Sequence, residues 1–161
     1  MISRQANTDP LACQNIVAFI FQNRQETIAC DSFKNRTICF WSKDFSVDDE
    51  KDILETIVDT LELEFEESAV QSANSGAEAL ELLAKDKEFS VIITDLNMPR
   101  MNGVELIENI RKIGIDSSII VFTGHGGDVE QERLDSLNID TMIRKPYIDK
   151  LLERVEKILE W

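Results

Sequence analysis

Basic residues, cysteines and long apolar runs are all scarce in this 161-residue chain, and each scarcity removes a class of protein. Lys and Arg number 17 against 31 Asp and Glu, a formal net charge of -14. Nucleic-acid binding needs clustered Lys and Arg to displace counterions from phosphates, so direct contact with DNA or RNA is not expected. A cation or a basic protein patch suits such a surface better. The excess is local: up to Arg36 there are 3 acidic and 4 basic residues, and beyond it 28 and 13. Cys13, Cys30 and Cys39 have neither an even count nor paired spacing. That argues against a disulfide framework or a cysteine zinc site and for a reducing, cytoplasmic compartment.

The longest apolar stretch, residues 11–21, is interrupted by Gln14 and Asn15. A bilayer span needs roughly 20 apolar residues, so membrane insertion is not expected. Arg4 ahead of the run and Thr27-Ile28-Ala29-Cys30 behind it faintly resemble an export signal. The polar Gln22-Asn23-Arg24-Gln25-Glu26 between them, where a signal would stay apolar or small, rejects that reading. Thr8-Asp9-Pro10 is a helix start, with Asp9 at the cap and Pro10 at the first helical position. Residues 1–36 therefore read as an extension carrying one short helix, and residues 37–161 as the main domain. The helix is apolar around most of its circumference, with Ile16, Val17, Phe19, Ile20 and Phe21. It is expected to dock on the main domain or to mediate self-association as a homodimer.

From about residue 43 strands and helices alternate. Strands are expected over residues 43–47, 69–72, 91–94, 118–122 and 141–144. Helices are expected over 50–63, 76–85, 104–113, 128–137 and 148–160. In the first helix Ile53, Leu54, Ile57, Val58 and Leu61 recur at spacings of 3 and 4; in the second Ala77, Leu80, Leu83 and Ala84 are expected inward. Gly114 closes the third helix as a C-cap. Repeated strand-helix units imply right-handed crossovers and a parallel sheet covered on both faces. This is an α/β doubly wound fold. The third and fourth strands are the most apolar and belong at the centre; the second and fifth read as edges. The strand order 2-1-3-4-5 suits that distribution.

Asp95 ends the apolar run Val91-Ile92-Ile93-Thr94 and is followed by the turn-forming segment Leu96-Asn97-Met98-Pro99-Arg100-Met101-Asn102-Gly103. Ligands of open parallel sheets bind beyond the carboxyl ends of the strands, and three further chemical elements fall at such ends. They are Asp48-Asp49 after the first strand, Thr123 after the fourth and Lys145 after the fifth. Gathered carboxylates repel, and a hard divalent cation such as Mg²⁺ relieves them. Lys145 adds a second positive charge and Thr123 a hydroxyl, a set that suits a phosphoryl group on Asp95. Each element also has a plainer reading. Asp48 and Asp49 would cap the following helix, Asp95 would start a turn, Thr123-Gly124-His125 would be a loop, and Lys145-Pro146 a solvated turn. Their joint placement on one rim favours chemistry.

With these residues in view the chain resembles the response-regulator receiver domain over about residues 43–161. Val47-Asp48-Asp49-Glu50, Asp95 with Met98-Pro99-Arg100-Met101-Asn102-Gly103, Thr123-Gly124 and Lys145-Pro146-Tyr147 match its motifs in order and spacing. The resemblance implies a flavodoxin-like fold and a phosphorelay role. Asp95 would be the phosphoacceptor, supplied by a sensor histidine kinase or a histidine phosphotransfer protein. Asp49 would be the direct Mg²⁺ ligand, Asp48 its water-mediated companion, and the backbone carbonyl of Asn97 a third contact. Lys145, aimed by a cis peptide to Pro146, would neutralise the transferring group. Thr123 would read it out to the surface of the fourth helix, fifth strand and fifth helix, where a downstream protein binds. The chain would then not be a turnover enzyme.

The position three before Lys145, usually aromatic in that family, is Met142, whose flexible thioether defines two states less sharply. The first strand, Asp44-Phe45-Ser46-Val47, is more polar than a central strand should be. Ile38-Cys39-Phe40-Trp41 is more apolar, but using it would strip Asp48-Asp49 of their place. His125, the only histidine, either borders the site or is an exposed loop residue. Trp161 after the last helix suggests a stand-alone receiver. Two rival classes are a Mg²⁺-dependent aspartate-nucleophile phosphatase and a phosphorylation-independent interaction module. The phosphatase places its nucleophile after the first strand and its acidic pair last, the reverse of the order here.

Overall fold

Every residue of the strand Val91–Thr94 is buried, as expected of a strand covered on both faces. It is the middle strand of a five-stranded parallel sheet in the computed structural model, which describes residues 42–65, 68–124, 133–134 and 136–159. The elements are β1 (Lys43–Val47), α1 (Lys51–Glu64), β2 (Ala69–Ala73), α2 (Gly76–Lys85) and β3 (Val91–Thr94). They continue with α3 (Gly103–Lys112), β4 (Ser118–Thr123), β5 (Thr141–Arg144) and α4 (Ile148–Leu159). The strand order is β2-β1-β3-β4-β5, as the polarity of the strands implied. The helix expected at 10–21, Trp41, His125, most of the helix expected at 128–137, and Trp161 lie outside the described residues.

Strand side chains alternate between faces, so each central strand feeds two cores. Ile92 of β3 and Ile119 and Val121 of β4 join Phe45 and Val47 in a cluster with Ala79 and Leu83 of α2 and Val104, Leu106, Ile107 and Ile110 of α3. Val91, Ile93, Ile120 and Phe122 join Ile143 in a second cluster with Ile57 and Leu61 of α1 and Leu151 and Val155 of α4. Helices thus cover both faces, which satisfies the continuous apolar character of β3 and β4. The α2 face differs from expectation. Gly76, Ala79 and Leu83 are buried, whereas Ala77 and Ala84 are exposed. The buried line runs at spacings of 3 and 4 from Gly76, and the alanines, too small to dominate packing, follow the leucines.

The polar residues of β1 are not at an edge. Asp44 and Ser46 are both fully buried on the face opposite Phe45 and Val47. Two hydroxyls serve Asp44: Ser42 Oγ donates to Oδ2 at 3.1 Å and Ser68 Oγ donates at 2.8 Å. Burial pushes the Asp44 carboxyl above the usual carboxylate range despite those bonds. Strand β1 is therefore central, as the position of Asp48 required, and carries its polarity inside.

Candidate functional site at the strand ends

Three backbone hydrogen bonds extend the ladder one residue beyond the strands and set the site. Asp48 N donates to Ala73 O at 3.3 Å, Asp95 N to Val47 O at 3.0 Å, and Lys145 N to Thr123 O at 2.9 Å. The registers Val47↔Thr94 and Thr123↔Arg144 carry the same alignment, so the residue after each strand arrives on one rim. The turn after Asp95 is fixed by its own carboxylate. Asp95 Oδ1 accepts from Leu96 N at 2.6 Å and from Asn97 N at 3.3 Å. Asn102 then caps α3, its Oδ1 accepting from Glu105 N at 2.9 Å.

Lys145 lies at the centre of the rim. Its Nζ is 2.7 Å from Asp48 Oδ2, 3.0 Å from Asp95 Oδ2 and 3.1 Å from Glu50 Oε1. Asp48 and Asp95 are buried, and Lys145 is nearly so. Burial alone would lower the Lys145 pKa, but the Asp48 and Asp95 carboxylates raise it well above the ordinary lysine value. Burial pushes Asp95 up as well; the hydrogen bond from Thr123 and the Lys145 ammonium outweigh it and hold Asp95 below the usual range. Asp48 goes the other way. Its burial outweighs the help of Lys145 and the Glu50 N–H and leaves its pKa raised.

Four of the six expected residues are brought into contact: Asp48, Asp95, Lys145 and, through its bond to Asp95, Thr123. Asn97 is adjacent, its N–H on the Asp95 carboxylate. Asp49 sits half-buried on the bend after Asp48. Among the described residues, the carboxylates whose oxygens all lie within 4.8 Å of one another are Asp48, Glu50 and Asp95, not Asp49. Glu50 carries no role in the sequence pattern, where its only signal is its place in the acidic trio Asp48-Asp49-Glu50. The Lys145-Pro146 peptide is cis. Met142 and Tyr147 are exposed beside this rim strand and its exit. Three carboxylates and one ammonium leave two formal negative charges, and all the acidic donors are oxygens. That chemistry fits a hard divalent cation such as Mg²⁺.

Residues 45–156 match the response regulator receiver domain family. The chain is a member of that family. Its receiver is 39% identical over 93 residues to a Chemotaxis protein CheY homolog of Campylobacter jejuni, covering 56% of this chain and 72% of that protein. It is 33% identical over 119 residues to the Transcriptional regulatory protein CpxR homolog of Haemophilus influenzae, covering 73% of this chain. The chain spans 50% of the length of that second relative. The solved structure of the Vibrio cholerae chemotaxis protein CheY4 matches the fold with a TM-score of 0.65 at 27% identity, over 73% of this chain and 98% of that one. Receivers are modules of two-component signalling, and no described helix of this one is long and apolar enough to cross a membrane.

Proposed function

We propose that this receiver accepts a phosphoryl group on Asp95 from a phosphohistidine of a sensor kinase or histidine phosphotransfer protein, and thereby switches its binding to a downstream protein. The observation that carries this reading is the pairing of a buried, low-pKa carboxylate with a buried ammonium 3.0 Å away on a rim of uncompensated negative charge. Asp48, Asp49 and the backbone carbonyl of Asn97 would hold Mg²⁺ together with Asp95. The cation, when bound, supplies charge neutralisation to the phosphoryl oxygens. The low pKa keeps Asp95 ionised and nucleophilic, Lys145 donates to a phosphoryl oxygen, and Thr123, already bonded to Asp95, turns toward the new group. A local charge event of this kind biases a two-state surface.

The product is an acyl phosphate, open to hydrolysis, so the role is signalling rather than turnover. A cytoplasmic location belongs to the same reading, as do contacts with proteins rather than nucleic acid, given the acidic charge. Incubation with a small phosphodonor and Mg²⁺ tests it by intact mass. The wild type gains one phosphate only with Mg²⁺, and Asp95→Ala gains none. An adduct that persists in Asp95→Ala, or none on the wild type, overturns the assignment. Steady turnover of small phosphomonoesters would instead favour a phosphatase.

A further inference from the structure

Glu50 is the N-cap residue of α1, yet its side chain makes no capping hydrogen bond. Short side chains such as Asp or Ser normally fill that position, because they fold back onto the first-turn N–H groups. Here Asp48 folds forward instead, its Oδ1 accepting the Glu50 N–H at 2.9 Å. The Glu50 side chain is left to reach Lys145, 95 positions away in sequence, at 3.1 Å.

An ammonium has three N–H donors and no more. Asp48, Asp95 and Glu50 all lie within 3.1 Å of Lys145 Nζ, which accounts for all three. Asp48 and Asp95 are buried and tied to strand ends, whereas the Glu50 side chain is 60% exposed. An incoming phosphoryl group needs a Lys145 N–H for its oxygens while Asp95 still holds its own as the attacking carboxylate, so one of the other two carboxylates must let go. Glu50 is the one free to do so.

We propose that Glu50 is a positioning residue that acts through Lys145, occupying the third ammonium N–H and restraining phosphorylation of Asp95 until it is released. The inference rests on the phosphoacceptor reading above. In the step concerned, a donor P–N bond breaks as a P–O bond forms to the Asp95 carboxylate. The leaving nitrogen departs with the bonding pair, and Lys145 keeps its proton and only redirects an N–H.

The test is the rate of adduct formation with phosphoramidate across a Mg²⁺ titration, for wild type, Glu50→Gln and Glu50→Asp. Glu50→Gln removes the charge; Glu50→Asp keeps it but shortens the reach to Lys145. Both variants should label faster at saturating Mg²⁺, by about twofold to fivefold, the range that an exposed ion pair supports. Glu50 shares the carboxylate cluster, so Glu50→Gln should raise the Mg²⁺ midpoint modestly, whereas Glu50→Asp, which keeps the charge, should stay within about twofold of wild type. Slower labelling with a weakened midpoint in both would make Glu50 a cation ligand and overturn the proposal. Acceleration in Glu50→Gln alone would reduce its role to charge, and unchanged rates in both would remove it. A wild type that labels normally while the variants do not differ leaves the phosphoacceptor reading intact. An unlabelled wild type overturns both.

Discussion

Gly103 packs directly against the backbone of Asp95. A Cβ at position 103 would lie 2.2 Å from the Asp95 carbonyl oxygen and 2.8 Å from Leu96 Cα. Gly103 N also donates to Leu96 O at 2.9 Å, so the start of α3 and the turn after Asp95 are one unit. Backbone cannot yield as a side chain can. Gly103→Ala is therefore expected to cost about 1–3 kcal/mol, the range of overpacking, and to slow labelling of Asp95. Gly76→Ala is the control: its Cβ would meet Met101 Sδ at 2.9 Å, a flexible thioether that can move. Urea midpoints at constant m-value separate the two, and equal midpoints would refute the argument.

The same turn stores strain at Arg100. Its φ is 71°, in the left-handed region, and its side chain is exposed. That conformation costs an L residue about 1–2 kcal/mol, of which glycine returns part as unfolded-state entropy. Arg100→Gly should be more stable than wild type by up to about 1 kcal/mol, and Arg100→Asn should fall between them. Thermal unfolding of the three proteins checks the order. A less stable glycine variant would mean that the Arg100 side chain makes a contact worth more than the strain.

The sequence made the sheet legible because β3 and β4 are unbroken apolar runs whose ends are marked by Asp95 and Thr123, and those ends locate the rim. Asp48 and Lys145 followed from the same rule. Three features were not legible for physical reasons. Ala77 and Ala84 are no more apolar than Ala79, so composition alone could not orient α2, and leucine packing decided it. Asp48, Asp49 and Glu50 leave the strand where strict alternation ends, so spacing could not say which carboxylates turn toward Lys145. The buried Asp44 reads as evidence against a central strand unless its partners are known, and Ser68 lies 24 positions away across a helix.

Asp44 gives the fold a pH dependence of definite sign. Its folded pKa is raised above the model-compound value of 3.8 by burial, with the Ser68 and Ser42 hydroxyls only partly opposing. Below the unfolded pKa both states hold the proton. As pH rises through that value and on to the folded one, the native state holds it longer, so stability falls with rising pH. Asp44→Asn removes this titration while keeping an oxygen acceptor for the serines. The variant should gain on wild type as pH rises above about 4, until Asp44 ionises in the folded protein, as seen in urea unfolding free energies. A difference that is flat in pH, or that shrinks, would show that Asp44 is ionised in the folded protein at little cost.

If Asp48 helps to hold the cation, as proposed, it should couple stability to Mg²⁺. It is 1% exposed, and burial leaves its pKa raised even with Lys145 at 2.7 Å, so its ionised form is a cost to the cation-free fold. Asp48→Asn keeps the acceptor for the Glu50 N–H and removes that charge. Without Mg²⁺ the variant should be more stable by about 1 kcal/mol, as is common where a functional site is relieved of repulsion. Adding Mg²⁺ should then reverse the comparison. A ligand stabilises the folded state by RT ln(1 + [L]/Kd), about 1.4 kcal/mol at ten times Kd, and a site stripped of one carboxylate has the larger Kd. Melting temperatures at rising Mg²⁺ should therefore climb for wild type and stay nearly level for Asp48→Asn, with the two curves crossing. Parallel curves would show that Asp48 takes no part in holding the cation, and a less stable variant at every Mg²⁺ concentration would show that Lys145 already compensates its burial in full.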